Sequence, residues 1–246
     1  RLRATLDGLL EPSRFADYCP NGLQVEGSKE VKHIVTGVTA SQALIDRTIE
    51  IGADTMLVHH GYFWKGEDSR VVGMKRARLA SLLTHDINLF AYHLPLDIHP
   101  SLGNNAQLAS LLGIEVECGL DSFDPNSVAM RGFFETALPL ADIVARTEQQ
   151  LERTPMVEQV NDRPIKTVAW CTGGGQGFIE QAAEQGQELH GRVRVHGQDL
   201  FEQGARHRKH GGAVRVGAGV ARGAHGGGAE HDVAQAGPPR MDLAVE

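Results

Sequence analysis

Apolar and polar positions follow two rhythms along this chain, and their alternation predicts the architecture. The opening RLRATLDGLL carries apolar residues at helical spacing and stops at Pro12. KHIVTGV (32–38) is short and rich in β-branched residues, which predicts a buried strand. SQALIDRTIEIG (41–52) returns to the helical period through Ala43, Leu44, Ile49 and Ile51, with Ser41 as N-cap and Gly52 as stop. DTMLV (54–58) is a second strand that runs into His59, and GMKRARLASLLTHD (73–86) a helix with Met74, Leu79, Leu82 and Leu83 along one side. INLFAY (87–92) is a third strand leading directly into His93, NNAQLASLLG (104–113) a helix closed by Gly113, and IEVEC (114–118) a further strand.

Strand and helix in strict alternation predict an α/β fold with a parallel sheet between helices. A turn-rich DSFDPNS (121–127) marks a boundary, after which VAMRGFFE (128–135), LADIVARTEQQLE (140–152), KTVAWC (166–171) and GFIEQAAEQG (177–186) repeat the alternation. The expected organisation is two α/β domains with mostly parallel sheets, the first over 1–121 and the start of the second over 122–186.

Residues 187–246 break the pattern. They contain no Ile, Ser, Thr, Asn, Tyr, Trp or Cys, yet hold 12 of the 29 glycines and 6 of the 12 histidines. So little bulky apolar material does not offset the entropy of ordering a chain. The segment reads either as a disordered tail or as a GC-rich gene translated out of frame. The joint loss of seven residue types favours the frameshift.

Length and charge narrow the function. A chain of 246 residues with 41% hydrophobic content can bury a full core, and no apolar run reaches membrane-spanning length. A net charge of −7 argues against a general nucleic-acid binder. Three widely spaced cysteines, Cys19, Cys118 and Cys171, suit a reducing compartment and no disulfide framework. With no visible signal peptide, the expected location is cytoplasmic.

Ligands of α/β sheets gather at the carboxyl ends of the strands. His59 and His60 end one predicted strand, and His93 ends the next. Pro95 should stop regular structure there, placing His93, Asp97 and His99 on a loop. Four imidazoles and a carboxylate suit zinc, iron, manganese or cobalt, with no thiolate near enough to bias the choice. Two adjacent histidines where the pleat breaks could each face one ion of a pair, and paired ions turn bound water into hydroxide near neutral pH. A His-His pair is as often structural, and Asp97 tips the balance toward metal. YFWKG (62–66) could stack a base on Tyr62 or Trp64 and meet phosphate with Lys65, or equally cover a sheet edge or subunit contact. CTGGGQ (171–176) could cradle an anion, but it lacks the P-loop pattern and a tight turn is the simpler reading. Gly22 in the Pro-Asn-Gly turn is expected at positive φ, and Asn104 and Asn105 are expected to cap the following helix.

Several of these stretches occur together in a known family. DYCPNGLQVEG, VTGVTASQALID, VHHGYFWKG, YHLPLDIHPSLGNNAQLA and VAWCTGGGQ resemble the bacterial members of the NGG-interacting-factor-three-like family, often labelled GTP cyclohydrolase I type 2 homologues. The resemblance covers about residues 1–186. It implies two α/β domains with a dinuclear metal centre in the cleft between them, and a ring-shaped homohexamer. Carried over by position, the metal ligands are His59, His60 and Asp97, with His93 as a nearby group that stands behind the ligands or faces the substrate. The family completes its site with a late His-His-Ala-Thr-Glu segment, which this sequence lacks; His225 and Glu230 do not reproduce it.

The expected function is a hydrolase dependent on divalent ions, two per subunit in an intact family member, acting on a nucleotide or related heterocycle through metal-bound hydroxide. The alternative is a metal-binding scaffold or adaptor without turnover. The expected partners are a small nucleotide-like substrate and further copies of the chain, with no membrane and no nucleic acid.

Overall fold

The computed structural model describes residues 1–184 and the backbone of 191–195 and 198–203. Helix α1 (Leu2–Leu10) leads to β1 (Gly22–Val25), β2 (Ile34–Thr39), α2 (Gln42–Glu50), β3 (Thr55–His60), α3 (Gly73–Thr84) and β4 (Asn88–Ala91). The four strands form one sheet in the order β1-β4-β3-β2. The pairs β2–β3 and β3–β4 are parallel, while β1 runs antiparallel to β4. The α/β class therefore holds, with helical crossovers between the parallel neighbours as such pairing requires. No helix among the described residues is long and apolar enough to cross a membrane.

Burial follows the predicted period with local departures. Ser41 caps α2 by accepting the Leu44 N–H at 3.2 Å. The buried side chains of α2 are Ile45 and Thr48, not Ala43, which is exposed. Thr48 is tolerated in the core because its hydroxyl donates to the Leu44 carbonyl at 2.7 Å. On α3 Leu79 and Leu82 are buried, but Met74 and Leu83 lie on the solvent side. Strand β2 was expected to be buried; it is an edge strand, and Ile34 and Val38 are exposed. A β-branched run reads alike whether a strand has two neighbours or one. One core cluster of this sheet is aliphatic, built on Ile45, Met56, Val58, Leu82 and Leu89, and a second buries Leu10, Phe90 and Tyr92.

Two helices, α4 (Leu94–Ile98) and α5 (Asn104–Leu112), lead into the second sheet. It comprises β5 (Glu115–Gly119), β6 (Met130–Leu138), β7 (Met156–Gln159), β8 (Ile165–Thr172), β9 (Gly191–Val195) and β10 (Gln198–Gln203), with α6 (Leu140–Leu151) and α7 (Ile179–Glu184) among them. Their order is β5-β6-β8-β10-β9-β7, and every pair is antiparallel. The expectation of mostly parallel strands fails here. IEVEC, read as continuing the first alternation, instead opens this sheet, joined to β6 by a connection with no crossover helix. Trp170 is fully buried with Phe134, Ile143 and Leu112, and its Nε1 donates to the Asn105 carbonyl at 3.1 Å, tying β8 to α5.

β9 and β10 fall inside the segment expected to lack regular structure, and β10 pairs with both β8 and β9. The frameshift or disorder reading for the rest of that segment, with His225 and Glu230, lies outside the described residues.

Candidate metal centre

His59 and His60 are the last two residues of β3, where ladder pairing ends with Thr39 opposite His60. Side chains of adjacent strand residues normally diverge. Here the ring centroids lie 4.4 Å apart at 43°, because the strand stops and Gly61 turns the chain. A Cβ on Gly61 would collide with the Gln24 side chain and Ala91 Cβ, so only glycine lets the backbone pass this close to β1 and β4. His93 follows β4, its ring 5.0 Å from His59 and 5.6 Å from His60. One ring nitrogen of each histidine lies within 4.8 Å of those of the other two.

Asp97 reaches the cluster by a route the sequence did not suggest. Pro95 does not leave a loop; it sits in the first turn of α4, where its missing N–H is no loss. That turn brings the buried Asp97 Oδ1 to 3.6 Å from His59 Nε2. Asn104 Nδ2 donates to the same oxygen at 2.7 Å, and Thr172 Oγ1, at the end of β8, at 3.4 Å. Burial pushes the Asp97 carboxyl up, opposed by His59 and by the hydrogen bond from Asn104. His99 takes no part in the imidazole trio: its Nδ1 accepts the Ser101 and Leu102 N–H groups at 3.3 and 3.0 Å.

The protonation pattern fits a cation. His59 Nδ1 lies 3.0 Å from the Tyr92 carbonyl, which can only accept, so the ring carries its proton there and leaves Nε2 bare. Burial lowers the His59 pKa, with Asp97 acting against it. Burial, then the neighbouring His59 and His93, lowers His60 to about 4. Both imidazoles are thus neutral at pH 7, the form that binds metal. A carbonyl behind a histidine, fixing its tautomer, is the usual support of a ligating imidazole. Neutral nitrogens with a carboxylate beside them suit a borderline divalent ion.

Sequence reasoning missed Asp17, in the loop before β1. Its Oδ1 is 2.7 Å from His93 Nδ1, although 76 residues separate the two. Burial acts to raise Asp17, but hydrogen bonds from His93, Asn21 and the Leu94 and Tyr18 N–H groups outweigh it and hold the carboxyl at about 2. The only local signal was Asp17, four residues before Asn21 of the Pro-Asn-Gly turn, where Gly22 does adopt a φ of 102°. A thiol is also nearer than expected: Cys19 lies within 4.8 Å of Asp17 and His93, counted between donor atoms. Burial and then the Asp17 charge push Cys19 up to about 12, which keeps it a thiol.

Other expectations resolve in the same geometry. Trp64 packs edge-on to His93 at 5.0 Å and 81°, walling the cluster. Tyr62 is half-buried, its hydroxyl donating to the Ala40 carbonyl at 2.7 Å. Asn104 and Asn105 do not cap α5, whose N-cap is Gly103. Asn105 instead ties α5 to the second sheet, donating to the Val128 carbonyl and accepting the Thr172 N–H, both through its side-chain amide. CTGGGQ is a turn, with Gly173 at a φ of 88° and the Gly175 N–H donating to its carbonyl.

A relative from Vibrio cholerae named GTP cyclohydrolase 1 type 2 homolog is 56% identical over 188 residues, 76% of this chain and 74% of its own. One of the same name from Pseudomonas aeruginosa is 52% identical over 184 residues, 75% and 73% of the two chains. A solved structure described as protein ybgI, of unknown function, superposes with a TM-score of 0.71 at 48% identity, covering 75% of this chain and 73% of that one. The model of the family Duf34/NIF3 (NGG1p interacting factor 3) matches residues 1–190, and the chain belongs to that family.

Proposed function

We propose that this protein is a metal-dependent hydrolase acting on a nucleotide or related heterocycle, with His59, His60 and Asp97 as ligands from this chain. One observation carries the reading: imidazoles from two strand ends converge beside a buried carboxylate, His59 Nε2 standing 3.6 Å from Asp97 Oδ1. The name borne by the Vibrio and Pseudomonas relatives supports a purine nucleotide as the first substrate to try. A bound divalent ion would supply Lewis acidity and a water of lowered pKa. The chain's own residues do the rest. The Tyr92 carbonyl orients His59, Asn104 and Thr172 fix the Asp97 carboxylate, and Trp64 shields one side from water. A second ion and a homo-oligomeric ring belong to the same proposal.

Asp97→Ala tests it. The variant should lose metal on gel filtration, read by elemental analysis, and lose turnover of GTP assayed with added manganese or zinc. Metal content equal to that of the unaltered protein sinks the ligand assignment. Retained metal in the unaltered protein, with silence across nucleotides and generic phosphoesters, favours a scaffold that binds metal without turnover.

A further inference from the structure

Two imidazoles of the trio are held by groups that can only accept a hydrogen bond. His59 directs Nδ1 at the Tyr92 carbonyl, 3.0 Å away, and His93 directs Nδ1 at Asp17 Oδ1, 2.7 Å away. Neither a carbonyl nor an ionised carboxylate has a proton to give. Both rings therefore carry a proton on Nδ1, which in the neutral ring leaves the lone pair on Nε2. The two locks differ in material. That of His59 is main chain; that of His93 is a side chain which must itself be held.

Asp17 is held by donors on every side. Its Oδ1 also accepts the Tyr18 N–H at 2.6 Å, and its Oδ2 accepts Asn21 Nδ2 and the Leu94 N–H, both at 2.9 Å. The Asn21 oxygen in turn accepts the His93 N–H at 2.7 Å. One loop thus grips the ring and the backbone of His93 together, while Trp64 meets the ring edge-on.

We propose that Asp17 is a positioning residue: it commits His93 to the Nδ1–H tautomer and so presents a bare Nε2, beside His59 and His60, as acceptor for an N–H or O–H of the bound substrate. The substrate role rests on the hydrolase reading above; the tautomer does not. Asparagine cannot replace aspartate here, because an amide must turn its NH2 toward two of the four donors. Facing Tyr18 and His93, it would drive the ring proton to Nε2. Facing Asn21 and Leu94, it would meet two donors that cannot both turn away, so the first orientation is favoured.

The tautomer can be read by imidazole nitrogen–proton correlation spectra of the metal-free, ¹⁵N-labelled full chain, with His93→Gln assigning the signals. In the unaltered protein, His59 and His93 should both favour Nδ1–H, His93 by about tenfold or more, the bias a hydrogen bond to a charged acceptor provides. In Asp17→Asn, His93 should fall to parity or reverse, while His59, locked by main chain, stays as it was. A global loss of stability would not separate the two rings in this way. An Nε2–H tautomer for His93 in the unaltered protein overturns the proposal, as does an unchanged His93 in folded Asp17→Asn. Should that variant fail to fold, the unaltered spectrum still decides. With a turned-over substrate in hand, Asp17→Asn should lower kcat about 10–100-fold at full metal content. Loss of metal instead would make His93 a ligand and overturn the substrate role. Failure of the Asp97→Ala test would remove the hydrolase reading and leave these spectra to stand by themselves.

Discussion

The two sheets use their strand ends differently. In the first, β2, β3 and β4 run parallel, so their carboxyl ends share one edge, and His59, His60, His93 and Asp97 all emerge there. In the second, antiparallel sheet, successive strands end at opposite edges. It contributes one hydroxyl to the centre, that of Thr172. Its interior differs as well. Trp170 and Phe134 fill it, where the first sheet packs one aliphatic cluster around Met56 and Leu82 and a separate one of Leu10, Phe90 and Tyr92. Parallel pairing concentrates chemistry at one edge, and the antiparallel sheet backs it with bulk.

Removing that bulk should produce the largest effect. Trp170→Ala deletes a fully buried ring and leaves the Asn105 carbonyl without its indole donor. The expected cost is about 3–5 kcal/mol, read as a lower urea midpoint at unchanged slope. Leu82→Ala in the first core should cost about 2–5 kcal/mol. The division of labour predicts that folded Trp170→Ala still retains metal. If it loses metal as completely as Asp97→Ala does, the second sheet is more than a support.

Acid should act on the first sheet before the second, and the direction follows from the shifts. His60 has a folded-state pKa of about 4 against an ordinary 6.5, so the unfolded chain takes up its proton first. Stability is complete above about pH 6.5 and declines as the pH falls toward 4. Asp17, held at about 2 against 3.8, adds a second decline between those values. Unfolding midpoints measured across pH should show both limbs, and His60→Gln should flatten the upper one. An upper limb as steep in His60→Gln as in the unaltered protein would assign it to another group.

Asp97→Ala should matter far less to stability than to metal. Burial already raises the carboxyl, so its charge adds little to folding. What is lost is the 2.7 Å hydrogen bond from Asn104, worth about 1 kcal/mol. A cost as large as that of Trp170→Ala would mean that the carboxylate holds the two sheets together.

Much of this contrast was legible in the sequence, for physical reasons that also mark its limits. Apolar spacing marked α1, α2, α3, α5 and α6, and the Ser41 cap was visible from residue type alone. The histidines stood out because they interrupt apolar runs where strands stop. Periodicity says nothing about pairing direction, so the antiparallel second sheet and the exposed edge at β2 stayed hidden. Proline at a helix start and proline as a breaker look alike in a string of letters, and α4 was missed for that reason. Asp17 was missed because its role depends on a contact across 76 residues, which no local pattern encodes.

The smallest effect should fall on His60, the one imidazole of the trio without a firm lock. Its Nδ1 has Thr39 Oγ1 at 3.5 Å, the outer limit of a hydrogen bond, whereas its neighbours are held at 3.0 and 2.7 Å. Thr39→Val removes that hydroxyl and keeps the β-branched shape β2 favours. Stability should stay within about 0.5 kcal/mol of the original, and metal content should not change. A marked loss of metal in Thr39→Val would show that His60 depends on its tautomer as much as His93 does. The three rings would then be equals, and the first sheet's edge would need every one of them oriented in advance.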